Sequence, residues 1–232
     1  MTPQRVTVFC DWQNIYRRAR GAFTDEGTAP SEKGQVSPVG LASLLVSRGP
    51  DAGPERHLEQ VRIYRGMPNQ DYDQRGYDAA RSQHSAWSTN RKVELVTRPI
   101  QYPADWRPGQ RDGEQPREKG VDVSLAVDLA TMSVEGAFDV AIVFSSDNDI
   151  LPAVEFVARR NAADRSLPTI EVAAWSGNMS RRRPSRLNPR GFNVWCHWLN
   201  AEDYSSVEDS TRYPVAPASH ERHPVPRPPR RW

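Results

Sequence analysis

The chain changes from continuous apolar residues to carboxylates at a single point, between Phe138 and Phe156 (FDVAIVFSSDNDILPAVEF). Val140 to Phe144 are all apolar. A short unbroken run of this kind predicts a strand buried on both faces, as in a parallel sheet covered by helices. The run stops at Ser145, and Ser146, Asp147, Asn148 and Asp149 follow. Beyond them Pro152 opens a helical pattern through Leu151, Val154, Phe156 and Val157. Two aspartates therefore sit at the carboxyl end of a strand, where open α/β sheets bind ligands. Ser and Asp ahead of a helix are also good N-caps. Two carboxylates so close repel, however, and the usual compensation is a cation or a set of hydrogen bonds. What decides between these roles is whether other strand tips carry acids.

One does. Val6, Val8, Phe9 and Cys10 predict a short strand that ends at Asp11, followed by a helix with Trp12, Ile15 and Ala19 on one face. Asn14 lies one helical turn past Asp11, where the two side chains can share a ligand. No glycine lies between Asp11 and Arg20, so neither a dinucleotide fingerprint nor a P-loop is present there. A third acid comes from REKGVDVSLAVDLATMSVEG. Val121, Leu125, Leu129 and Met132 share a helical face, which puts Asp122 in the first turn, where the helix dipole favours a carboxylate. Asp128 is six residues on, about 240° around the helix, so it does not share the face of Asp122.

Further elements are expected as a loop at 21–37, a helix from Ser37-Pro38 to Gly49, a strand over 61–65, a helix over 71–88 and a strand over 93–97. A long loop at 99–118, a strand at 170–174 and a short strand at 193–196 complete the pattern. Alternating strands and helices predict an α/β fold with a parallel-type central sheet flanked by helices. Four carboxylates at one end of it, Asp11, Asp122, Asp147 and Asp149, are hard oxygen ligands suited to Mg²⁺ or Mn²⁺.

Charge is unevenly distributed. The total is +2, yet residues 213–232 hold six Pro, four Arg and one Glu, and residues 180–190 hold five Arg and no acid. The remainder is acidic, and the segregated positive charge points to a polyanionic partner. The proline-rich end lacks periodicity and is expected to be a disordered Pro/Arg-rich tail, able to dock a protein partner. No run approaches the ~20 apolar residues that span a bilayer, so no membrane association is expected. Cys10 and Cys196 are the only cysteines, neither at zinc spacing, which suits a reducing cytoplasm.

CDWQN around Asp11, KGVDVSLAVD from Lys119 and SSDNDI from Ser145 resemble, in content and order, the three signature blocks of the NYN domain, a branch of the PIN-like nuclease superfamily. The resemblance spans roughly residues 5 to 175. It implies a single PIN-like (NYN) domain over 1–205, with the tail at 206–232, and a divalent-metal-dependent nuclease, usually acting on RNA, single-stranded or structured. By position, Asp11, Asp122, Asp147 and Asp149 would form the metal site, with Asn14 and Ser145 supporting it and Asp128 an outer acid. Ile150 stands where the family commonly has an aromatic residue, and the loops at 21–37 and 99–118 are long. Apart from the resemblance, Lys119 either adds positive charge near the reacting phosphate or is a solvated lysine before the helix, and Arg181, Arg182, Arg183, Arg186 and Arg190 either hold the RNA backbone or form a solubilising surface loop. The expected chemistry is phosphodiester hydrolysis by metal-activated water. Two readings compete: a different Mg²⁺-dependent phosphoryl-transfer enzyme of Toprim or phosphatase type, and a non-catalytic nucleic-acid-binding or recruitment module. The first is disfavoured because Asp11-Trp12-Gln13 lacks the DxD of those phosphatases, the second because the set of four acids is intact.

Overall fold

The central strand, β1 (Gln4–Asp11), alternates Val6, Val8 and Cys10 toward one face of the sheet and Phe9 toward the other, and all four are buried. In the computed structural model, which describes residues 2–24, 29–30, 32–49, 54–107, 110, 112–177 and 185–213, β1 is followed by α1 (Trp12–Phe23) and α2 (Pro38–Ser47). Next come β2 (Arg56–Met67), α3 (Gln74–Trp87), β3 (Val93–Pro99), α4 (Val121–Glu135) and β4 (Val140–Phe144). A single 3₁₀ turn at Asn148–Ile150 leads into α5 (Leu151–Ala163), and β5 (Thr169–Trp175), β6 (Cys196–Leu199) and α6 (Ala201–Val207) complete the elements of the described residues. Among the described residues six strands form one sheet in the order β3-β2-β1-β4-β5-β6, every pairing parallel.

Parallel strands need crossovers, and the helices that supply them cover both faces. One face packs against α1, α2 and α6 through residues such as Ile15, Leu41, Leu45, Ile142, Trp175 and Tyr204. The other packs against α4 and α5 through Phe9, Leu125, Leu129, Val143, Val154 and Val157. The five residues of β4 are all buried, as the unbroken apolar run requires. Strand order reverses between β1 and β4, which are hydrogen-bonded neighbours whose crossovers leave in opposite directions. At such a switch point the loops diverge and open a crevice beyond the strand tips. The tips there are Asp11 and Ser145.

β2 is longer than the expected 61–65, extending to Arg56 because it pairs with β1 from Gln4 onward. β6 lies three residues later than expected, and α6 has no counterpart in the sequence reading. α6 is held by a capping box in which Asn200 Oδ1 accepts the amides of Glu202 and Asp203, while Asp203 Oδ2 accepts that of Asn200. Packed chain continues to Tyr213. Val207 is buried, Val36 and Glu208 form an antiparallel bridge, and Trp87 Nε1 donates to Tyr213 Oη at 3.1 Å. The expected tail thus begins, at residues 206–213, as part of the body; residues 214–232 lie outside the described residues, as do Arg181, Arg182 and Arg183. Among the described residues no helix is long and apolar enough to cross a membrane.

Candidate active site at the strand tips

Asp11 ends β1 and caps α1, its Oδ1 accepting the amide of Asn14 at 3.2 Å. Its Oδ2 accepts the hydroxyl of Ser145 at 2.7 Å. Ser145, itself buried at the tip of β4, also accepts the Asp147 amide at 3.0 Å. The hydroxyl therefore couples the two acidic tips of adjacent strands. Asn14 adds a second link, with its Oδ1 accepting from Ser146 N at 3.2 Å and Ser146 Oγ at 3.1 Å. Asp147 Oδ1 caps the 3₁₀ turn through the Asp149 amide at 3.0 Å. The capping role is thus real, but it occupies one carboxylate oxygen only.

Asp122 arrives from α4, as expected for the first turn. Its helix starts at Gly120 with φ 78 and no side-chain cap, a left-handed conformation that favours glycine. Asp11, Asp122 and Asp147 line one cleft of about 750 Å³, together with Asn14 and Glu118. Burial pushes the Asp11 carboxyl up to about 7, against the hydrogen bonds from Ser145 and Asn14, and the charges of Asp122 and Glu118 add to the rise. Asp122 is also raised, by burial first and then by Asp147 and Asp149. Asp149 is exposed at the rim, near enough to act on Asp122 without lining the cleft.

Burial and neighbouring carboxylates thus destabilise the ionised forms of Asp11 and Asp122, an electrostatic condition that a divalent cation relieves. Among the described residues no group of three or more His, Cys, Asp or Glu side chains is placed to hold a metal ion by itself. Mg²⁺ and Mn²⁺ do not need one, since Mg²⁺ keeps several waters and takes one or two carboxylates plus substrate phosphate. Asp11, Asp122 and Asp147 offer oxygen donors only, the ligand type those ions take.

Glu118 escaped the sequence reading. Its Oε1 accepts the Gly66 amide at 2.7 Å, and burial raises its pKa. The available signal was its place two residues before Gly120, at the entrance to α4. Also missed were Arg17, Arg18 and Arg117, which line the cleft; the run RRAR follows Asp11 closely enough that α1 carries it back to the same end of the sheet. The arginines that were expected to hold substrate do not line the cleft where described. Arg186 Nη1 donates to the Val194 carbonyl at 3.4 Å, and the Arg190 amide donates to Glu155 Oε1 at 2.9 Å. Lys119 is exposed and does not line the cleft. Asp128 pairs with Arg62 Nη2 at 2.7 Å and accepts Tyr64 Oη at 2.9 Å. It ties α4 to β2 and does not line the cleft.

Residues 5–163 match the family model described as NYN domain. No curated protein matches the chain. Among solved structures, one of a protein of unknown function from Vibrio parahaemolyticus is similar at 16% sequence identity, covering 74% of this chain and 81% of that chain with a TM-score of 0.42. The family match runs from β1 through α5, includes every acid of the cleft and takes in most of the sequence, and the chain accordingly belongs to the NYN domain family of the PIN-like nuclease superfamily.

Proposed function

We propose that the protein is a divalent-metal-dependent endoribonuclease that hydrolyses RNA phosphodiester bonds. The observation that carries this reading is the meeting of Asp11, Asp122 and Asp147, from three separate elements, in one cleft at the switch point of the sheet. Asp11, Asp122 and Asp147 would hold Mg²⁺ or Mn²⁺, with Asp149 at the rim. The ion would polarise the scissile phosphate and make water a competent nucleophile at neutral pH. Ser145 and Asn14 keep the carboxylates oriented, since Ser145 fixes the free edge of Asp11 and Asn14 fixes the turn that carries Asp147. Arg17, Arg18 and Arg117 would take phosphates along the cleft, and Lys119, Arg186, Arg190 and the 181–183 arginines would extend that contact.

With water as nucleophile the RNA 2′-hydroxyl takes no covalent part, and the products carry 5′-phosphate and 3′-hydroxyl ends. The test combines RNA and DNA substrates with Mg²⁺, Mn²⁺ or chelator, and places one 2′-deoxy nucleotide at a mapped cleavage site. Continued cutting at that position, abolished by chelator, is expected. A block there with cyclic-phosphate products elsewhere would overturn the reading.

A further inference from the structure

A second cavity, of about 570 Å³, opens between β2, α3 and the last described residues and shares Gln13, Tyr16, Ile100 and Glu118 with the acidic cleft. Its volume lies in the range of small-molecule sites, and its wall continues that of the cleft. Its chemistry is different. Arg65 lines it and enters no ion pair among the described residues: Nη1 donates to the neutral Gln83 Oε1 at 2.8 Å, and the guanidinium sits 5.9 Å over the Trp87 ring. Burial lowers its pKa to about 10, with the charge of Glu118 opposing the shift only in part. A desolvated guanidinium bonded to an amide retains donors for an anion. Arg75 lines the same space, and Tyr16 and Tyr213 supply aromatic surface.

Tyr213 is held in that wall from two directions. It accepts Trp87 Nε1 and donates to Asp209, and its ring meets Trp87 edge-on at 6.5 Å. Cationic donors beside aromatic rings are the combination that holds single-stranded nucleic acid, the donors taking phosphate and the rings taking bases. We propose that this cavity binds one nucleotide of a single-stranded RNA, next to the bond addressed by the acidic cleft, with Arg65 taking its phosphate and Tyr16 and Tyr213 taking its base. The inference rests on the endoribonuclease reading and deepens it by locating a flanking nucleotide.

The test is the affinity of the full chain for a fluorescein-labelled RNA octamer, read by anisotropy in chelator so that no cutting intervenes. Arg65→Gln removes the cation. Ala79→Trp fills the cavity from α3 without touching any charge, and serves should Arg65→Gln fail to fold. Each variant that keeps its cooperative melting is expected to bind about tenfold more weakly, and Arg65→Gln to lower the salt slope by about 0.7. If the parent binds and the folded variants bind within twofold of it, the cavity is not a nucleotide site, while the endoribonuclease reading stands. If the parent itself does not bind the octamer, the RNA reading falls, and this inference with it.

Discussion

Asp147 and Asp128 are both aspartates in signature blocks, and their surroundings give them opposite roles. Asp147 uses one oxygen as a cap, and no hydrogen bond among the described residues takes the other. Asp147→Asn keeps a capping oxygen and removes a charge from a crowded cluster. The fold should therefore persist, while metal-dependent cleavage falls by about 100-fold or more; wild-type turnover under matched metal would remove Asp147 from the site. Asp128 instead satisfies Arg62 and Tyr64, and the Arg62–Asp128 pair is only 15% and 29% exposed. Asp128→Asn should cost roughly 1–3 kcal/mol, seen as a lower melting temperature with kcat unchanged at 25 °C. Helical geometry in the sequence already separates Asp128 from Asp122. It does not reveal the partner, because Arg62 and Tyr64 come from a strand 66 and 64 residues away, and long-range pairing leaves no local periodicity.

At the scale of elements, the strand tips were the most legible part of the molecule. An apolar run that stops at an acid, followed by a helical pattern, is a local signal, and Asp11 and Asp147 fall where it places them. The edge was not legible: β6 is four residues long and α6 seven, too short for a period to emerge. β6 nevertheless carries a buried contact. Glu171 of β5 accepts Arg56 Nη2 at 2.7 Å and His197 Nε2 at 2.7 Å, joining β2, β5 and β6 on one face. Burial acts to raise the Glu171 pKa, but the hydrogen bonds from His197 and Arg56 outweigh it and hold the carboxyl below its usual value. A depressed carboxyl pKa means that the unfolded chain binds the proton more readily, so this stability is complete above the unfolded pKa and is lost as pH falls through the folded one. Melting temperature should therefore drop on acidification below the usual glutamate range. In Glu171→Gln that dependence should flatten, and stability at neutral pH should fall by about 3–5 kcal/mol, because Arg56 is only 10% exposed and would be left buried without its counter-charge. An unchanged acid limb in the variant would show that other carboxyls govern it.

Across the whole molecule, charge and chain path combine in a way neither shows alone. The acids gather at the switch point, and the arginines of α1 line the same cleft. The sequence exposes the basic segments but not their distance from the acids, since proximity depends on the strand order β3-β2-β1-β4-β5-β6. The same path brings Tyr213 to Trp87, so that the basic, proline-rich segment starts beside the nucleotide cavity. The expected boundary would remove the chain from residue 206 without structural cost. The packing gives two different outcomes. Truncation after Tyr213 keeps every contact among the described residues and should leave the melting temperature unchanged, while weakening the affinity for long RNA by the loss of four arginines. Truncation after Glu208 also removes Asp209 and Tyr213, leaving the indole N–H of Trp87, a side chain 7% exposed, without its acceptor. That should cost roughly 2 kcal/mol, or about 4–8 °C in a domain of this size. Scanning calorimetry of the two truncations, paired with cleavage of a short oligonucleotide, separates the effects. Equal melting temperatures would mean that residues 209–213 contribute nothing to the body, and would also withdraw Tyr213 from the cavity wall.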